Sequence, residues 1–330
     1  MPGKMKAILA PQYGPASVLI LQEVEQPTPK DNGVLINVRA ASLNPYDWHR
    51  MIGSMRKEYG EPVPTDPSIG TDMAGVVVAV GKNVTDFKPG DEVFGRAVGS
   101  FAEYACSAER SIVHKPSNVS FEEAAAVPIA GLTALQGLRV EGQIKAGQRV
   151  LVNGAAGGVG TFAVQIARAF DTHVTAVCST GNLELARSTG ADEVIDYTAH
   201  DFTEVRQQYD LILDTIGNHS VDDYERCLKP DGVCVLVGAT QELRAQMQVR
   251  TGLDYISMMV DGYKPLEGMP KIFPMLTNPK KDDLMFLAKL LESRKIVPVI
   301  GKVYRLEQTA DAMELLATKH ARGKLVISMC

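Results

Sequence analysis

Val150-Leu151-Val152-Asn153-Gly154-Ala155-Ala156-Gly157-Gly158-Val159-Gly160 decides the fold. Arg149–Asn153 reads as a short apolar strand and Gly160–Phe170 as a helix with one apolar face. Between them lie four glycines in seven residues, 154–160. A glycine-rich turn from strand to helix is where a dinucleotide pyrophosphate binds. Aligned to G-x-G-x-x-G, the turn reads Ala155-x-Gly157-x-x-Gly160, with alanine in the first place. Gly157 lets backbone approach the pyrophosphate, and Gly160 lets the helix pack close to the strand. The candidate phosphate ligands are therefore the backbone of Ala156, Gly157, Gly158, Val159 and Gly160, backed by the positive end of the helix.

Downstream, strand and helix alternate. His173–Cys178 reads as a strand, and Asn182–Thr189 as a helix ending at Gly190. Further short strands follow at Glu193–Ile195, Leu211–Asp214 and Gly232–Val237. This pattern implies an α/β domain with a doubly wound parallel sheet. An NAD site carries Asp or Glu after the second strand to hold the ribose 2′-hydroxyl. Here that place reads Cys178-Ser179-Thr180-Gly181-Asn182, with no carboxylate. The hydroxyls of Ser179 and Thr180, together with Asn182 and Tyr197, are the expected 2′-phosphate contacts, so the expected cofactor is NADP(H). The turn itself carries no Arg or Lys, and Arg187 lies at least one helical turn further on.

The first 120 residues or so have a different texture. Val34–Val38, Gly75–Val80 and Glu92–Gly95 read as short strands punctuated by Gly and Pro, the pattern of a small β-barrel. A helix starts at Phe121–Val127 with Ser120 as its cap, and Pro128 interrupts it. Gln241–Pro279, rich in Met and Pro, reads as a lid, an oligomer contact or one further strand at Lys271–Leu276. Asp282–Leu291 reads as an amphipathic helix, Val297–Ile300 as a strand, Leu306–Thr318 as a final helix and Lys324–Ser328 as the last strand.

The 330 residues exceed one small core and imply about two domains. Thirty-four basic against 39 acidic residues give a net charge of −5, which argues against nucleic acid or an anionic membrane as partner. No apolar run reaches the ~18 residues of a membrane span. The opening residues lack the apolar stretch of a signal peptide, so the expected compartment is the cytoplasm. Five cysteines without CxxC spacing read as free thiols.

Several further motifs sharpen the reading. They are Ser42-Leu-Asn-Pro-Tyr-Asp47, Gly70-Thr-Asp-Met-Ala-Gly75 with Val80-Gly81, Lys88-Pro-Gly-Asp-Glu-Val-Phe94, and Ala321-Arg-Gly-Lys-Leu-Val-Ile327. With the Ala155–Gly160 turn, they make the chain resemble the medium-chain dehydrogenase/reductase superfamily, in its zinc-free quinone oxidoreductase and alkenal/enone reductase branch. The resemblance implies a GroES-like β-barrel catalytic domain (1–122 and 283–330) with an inserted Rossmann NADP(H)-binding domain (123–282), an active site in the cleft, and a homodimer. Zinc-dependent relatives place a Cys after the third strand and a Gly-His-Glu later. This chain has Asn44-Pro45-Tyr46-Asp47 and Gly70-Thr71-Asp72 there, so no metal is expected.

Without a Lewis acid, the accessible hydride acceptors are conjugated ones. A quinone or an α,β-unsaturated carbonyl spreads incoming charge onto an oxygen that hydrogen-bond donors can stabilise. Asn44 resembles the family asparagine facing the nicotinamide ribose and substrate. Tyr46 is a donor candidate for the developing oxyanion. His49 stands where plant-type alkenal reductases carry a Lys. Thr133 resembles a threonine near the nicotinamide, and Lys324 a lysine near the cofactor cleft. Asp47 and Trp48 read as structural, Asp47 as a helix cap. Two rivals stay open: a catalytically weak NADPH-binding structural or sensor protein, and a zinc-free carbonyl or alcohol dehydrogenase.

Overall fold

The computed structural model describes residues 3–54, 66–206, 208–263, 265 and 271–329. It divides into two units, Met1–Leu132 with Pro279–Cys330, and Thr133–Asn278.

In the first unit, β1 (Lys4–Leu9) and β2 (Ile20–Glu25) form an antiparallel pair. The main sheet comprises β3 (Gly33–Ser42), β4 (Asp72–Val80), β5 (Glu92–Arg96), β6 (Tyr104–Ala108), β7 (Ile112–His114), β14 (Ile300–Arg305) and β15 (Lys324–Ser328). Its order is β14-β15-β3-β4-β5-β7, with β6 also on β3. All its pairs are antiparallel except β14 with β15. β3 is its organiser. Gly33–Asn37 pair with β6 and Ala40–Ser42 with β15, while β4 runs along the other edge. Irregularities at Leu35/Ile36 and Val38/Ala40 bend β3 so that one strand serves three partners. Val34 and Ile36 lie in a core with Met73, Phe101, Ile112 and Leu325, and Leu35 between them is buried as well.

The second unit is an all-parallel sheet of six strands: β8 (Arg149–Asn153), β9 (His173–Cys178), β10 (Glu193–Asp196), β11 (Tyr209–Asp214), β12 (Leu228–Leu236) and β13 (Ile272–Pro274). The order β10-β9-β8-β11-β12-β13 is the 3-2-1-4-5-6 arrangement of a doubly wound dinucleotide-binding sheet. Its direction of winding reverses between β8 and β11, and there the turn after β8 emerges. The Gly158–Ala169 helix buries Gly160 through Ala167 against the sheet.

Three boundaries differ from the sequence reading, each for a visible reason. The unit boundary falls at Leu132/Thr133, later than 122/123. The Phe121–Ala125 helix packs on β3 and β4, and the Ile129 amide donates to the Asp72 carboxylate, which ties this segment to the first unit. It falls at Asn278/Pro279, earlier than 282/283, because Gln136 exchanges hydrogen bonds with the Asn278 backbone while Lys281 reaches Asp86. The strand expected at Val297–Ile300 instead begins at Ile300. Pro298 has no N–H for a ladder, and a register irregularity follows at Ile300/Lys302. The stretch after Gln241 is two helices, Gln241–Thr251 and Tyr255–Val260, followed by β13. Among the described residues, Cys106, Cys178, Cys227 and Cys234 are free, and no helix is long and apolar enough to cross a membrane.

Candidate functional site

The turn after β8 is built around two close approaches. Gly154 has φ +79°, and a side chain there would run into the Thr215 hydroxyl. At Gly160 a Cβ would overlap the Gly154 carbonyl oxygen and lie 2.7 Å from Ala155 Cα. At Gly157 a Cβ would meet only the Gly154 oxygen, at 3.4 Å. Gly160 is thus the helix-to-strand contact, while Gly157 faces open space. Gly154 makes the tight bend, a role the sequence alignment had placed one residue later. Ala155 and Ala156 are buried, and Gly157, Gly158 and Val159 are half-buried. Gly157 begins the helix with no side-chain cap, so the first-turn amides stay available.

Across the switch point, the buried Asp214 at the end of β11 holds the facing loop. Its carboxylate accepts from the Ile216 and Gly217 amides (both 2.7 Å), Tyr224 Oη (2.7 Å) and Asn153 Nδ2 (2.9 Å). Asp214 and Asn153 were not among the expected site residues, because a lone Asp closing a strand carries no signal of what it will hold.

The ribose end requires a correction. Thr180 donates to Asp196 Oδ2 at 2.6 Å and lies 2.9 Å from Thr198 Oγ1. Asp196 lies opposite Cys178 in the parallel β9–β10 pair, which sets its carboxylate beside the turn. The turn therefore does face a carboxylate, supplied by the next strand. The Thr180 and Thr198 hydroxyls hold Asp196 below the usual carboxylate range, so it is charged near neutrality. The Thr180 hydroxyl is engaged as a donor to Asp196 rather than directed to a 2′-phosphate. Ser179 Oγ accepts from Asn182 Nδ2 (3.0 Å), which leaves its own proton to give. Asn182 Oδ1 is buried without a protein partner. Tyr197 is 58 % exposed. The open face at Gly157, the uncapped helix start and the orphaned Asn182 oxygen together fit a bound dinucleotide.

In the first unit two of the sequence-predicted residues, Asn44 and Lys324, meet in a buried charge network. Asn44 opens the Pro45–Ile52 helix, and Asp47 reaches back to cap its backbone amide. The Asn44 amide N–H donates to Asp47 Oδ2 (2.9 Å), and its Nδ2 donates to Asp72 Oδ2 (2.9 Å). Lys324 Nζ donates to Asn44 Oδ1 (2.5 Å) and to the Leu43 carbonyl (2.8 Å). Thr71 Oγ1 donates to Asp47 Oδ1 (2.8 Å). Burial pushes the Asp47 carboxyl up to about 6, helped by the neighbouring Asp72, and raises Asp72 as well. Burial also lowers Lys324, against the pull of the two carboxylates. Asn44 and Lys324 thus touch each other, and their polar atoms are committed inside the network rather than presented as free donors. Tyr46 and His49 are half-buried on the same helix. His49 Nδ1 lies 2.7 Å from Ser54 Oγ, and its ring meets Trp48 edge-on at 4.9 Å. In the second unit, Thr133 pairs its hydroxyl with Thr277 (2.7 Å), a partner the sequence reading did not supply.

The two carboxylates in the Asn44–Asp47 and Gly70–Asp72 stretches, Asp47 and Asp72, already accept from Asn44, Thr71 and Ile129. Among the described residues, no group of three or more His, Cys, Asp or Glu is arranged to hold a metal. The donor set does not fit zinc.

Comparison with known proteins agrees with this architecture. Residues 30–117 match the family described as "Alcohol dehydrogenase GroES-like domain", and residues 189–327 the one described as "Zinc-binding dehydrogenase". The chain is 36 % identical to a 2-methylene-furan-3-one reductase of Solanum lycopersicum, over 99 % of this chain and 80 % of that one. It is likewise 36 % identical, with the same coverage, to an NADPH-dependent alkenal/one oxidoreductase of Arabidopsis thaliana. The structure of the quinone oxidoreductase from Coxiella burnetii superimposes with a TM-score of 0.84 at 32 % identity, covering 99 % of this chain and 100 % of that one. The chain belongs to the medium-chain dehydrogenase/reductase superfamily, in the branch of the quinone oxidoreductases and alkenal/enone reductases.

Proposed function

We propose that this protein reduces a quinone, or the C=C bond of an α,β-unsaturated carbonyl, with NADPH. The observation that carries the reading is the uncapped, side-chain-free turn at Gly157, set at the switch point of a 3-2-1-4-5-6 sheet. The substrate class is supported by relatives named for enone and quinone reduction that span nearly the whole chain. When bound, the dinucleotide supplies a hydride from nicotinamide C4. The chain's part is to hold the pyrophosphate on the amides of Gly157–Gly160 and to stabilise the negative charge that develops on the acceptor oxygen. Tyr46 and His49 are the donors we assign to that oxygen. A homodimer belongs to the same proposal, with β13 as the sheet edge offered to a second copy.

A panel of quinones, alkenals and saturated alcohols, each with NADPH and NADH, tests the reading. Turnover of the conjugated acceptors and none of the saturated alcohols is expected. Turnover of saturated alcohols alone favours the alcohol dehydrogenase reading. NADPH binding without any turnover favours the structural or sensor reading.

Cofactor choice follows from Asp196. A fixed negative charge beside the ribose repels a 2′-phosphate and so weakens the chain's hold on NADPH relative to NADH. Asp196→Asn should tighten NADPH binding about tenfold and leave NADH nearly unchanged. Equal effects on both dinucleotides, measured by titration calorimetry, would remove Asp196 from the ribose site.

A further inference from the structure

The network around Asn44 gathers three ionisable side chains, Asp47, Asp72 and Lys324, each no more than 3 % exposed. The Asn44 side chain spans them, Oδ1 toward Lys324 Nζ and Nδ2 toward Asp72 Oδ2. Reversing that amide would set oxygen against carboxylate and NH2 against ammonium, so only one orientation is allowed. The same residue opens the Pro45–Ile52 helix, which carries Tyr46 and His49. Two buried carboxylates against one buried ammonium leave surplus negative charge away from water. Arg96 on β5 faces Asp72 across the β4–β5 pair, and the start of the Pro128–Leu135 helix donates the Ile129 amide to it. On the gripped helix itself, His49 and Arg50 lie in the last turn.

We propose that Asp47, Asp72 and Lys324 are positioning residues which, acting through Asn44, set the orientation of the Pro45–Ile52 helix, and that one exchangeable proton on the two carboxylates decides how firmly. The proposal rests on the functional reading above in that Tyr46 and His49 are the groups positioned. A proton on Asp47 turns one of its acceptor oxygens into a donor. The Thr71 hydroxyl can rotate and accept from it at Oδ1, and Oδ2 then takes the Asn44 amide N–H as a neutral acceptor in place of a charged one, so the cap weakens as the proton arrives. The raised Asp47 carboxyl puts this exchange close to neutrality.

Trp48 is the single tryptophan of the chain and follows Asp47 directly, so its emission reports on this helix. We expect one emission transition between about pH 5 and 7. It should persist in His49→Gln, vanish in Asp47→Asn, and move about one unit lower in Asp72→Asn, where the neighbouring negative charge is gone. In Asp47→Asn, kcat with an alkenal or quinone should fall about tenfold, with KM and dinucleotide affinity within about twofold. A thermal melt establishes that each variant is folded. Flat emission in the wild type, or a transition lost in His49→Gln and kept in Asp47→Asn, overturns the proposal, as does a raised KM at unchanged kcat. A wild type that titrates as expected yet reduces neither alkenal nor quinone supports the helix coupling and overturns the functional reading instead.

Discussion

Gly157→Val should weaken dinucleotide binding about 100-fold or more while leaving the protein as stable as the wild type. Gly157 has φ −80° and ψ 176°, a conformation open to any residue. A Cβ there meets only one oxygen, at ordinary contact distance. The apo protein therefore has no reason to lose stability, and its melting temperature should stay within about 2 °C. The bound pyrophosphate, however, needs the space that the valine side chain would fill. Affinity should drop about 100-fold or more, which corresponds to about 2.7 kcal/mol. Gly160→Ala supplies the contrast. Its Cβ would strike backbone atoms of Gly154 and Ala155, which cannot swing aside as a side chain can. It should lose both stability, about 1–3 kcal/mol, and affinity. If calorimetry finds Gly157→Val still binding NADPH and NADH at wild-type strength, the turn is only a structural bend and the cofactor assignment fails.

The same two glycines show why this part of the site was legible from sequence. A close backbone approach leaves a local trace, because only glycine tolerates it. The parallel sheet was legible for a similar reason. β8, β9 and β11 each carry a short apolar run, Val150–Val152, Ala176–Cys178 and Leu211–Leu213, separated by helical stretches, which is the pattern of a parallel sheet. The helix at Gln241–Thr251 was not legible. It buries only Leu243 and Met247 and is polar almost all round, so it shows no apolar stripe to read. Its caps, Thr240 and Gly252, are ordinary in composition and gain meaning only once the helix is known.

The ribose carboxylate and the charge network escaped for a different reason: their partners are distant in sequence. Thr180 and Asp196 are 16 residues apart and meet only through strand register. Lys324 and Asn44 are 280 residues apart and meet because β15 pairs with β3. The motifs at Asn44 and Lys324 were each visible. What the sequence could not show is that they are one object, with Asp72 as its third member. Asp47 reads from sequence as the cap of a helix that follows it; it lies inside the helix instead, as the third residue, and reaches back to the amide of the true cap, Asn44.

That object sets the largest expected change in stability. Lys324→Met should destabilise the protein by about 3–5 kcal/mol at pH 8, because it leaves two buried carboxylates without their cation. The loss should shrink as the pH falls. Asp47 and Asp72 both have native pKa values raised above their ordinary ones. Between the two values the native state binds more protons than the unfolded chain, so unfolding becomes harder as pH drops through about 6. In the wild type this gain from Asp47 alone is about 3 kcal/mol, complete near pH 4. The carboxylates of Asp86, Asp196, Glu193 and Asp223 are held below the usual range, so their opposing losses come only under still more acid conditions. Removing the ammonium raises both buried carboxyls further, which widens the window and steepens the recovery. Adding Asp72→Asn to Lys324→Met brings the buried surplus back to the single negative charge of the wild type and should restore more than 1 kcal/mol relative to the sum of the single variants. Urea unfolding of the four proteins at pH 8 and pH 5.5 decides the matter. Additive effects, or a Lys324→Met penalty independent of pH, would mean that the lysine acts by packing its chain rather than by balancing charge.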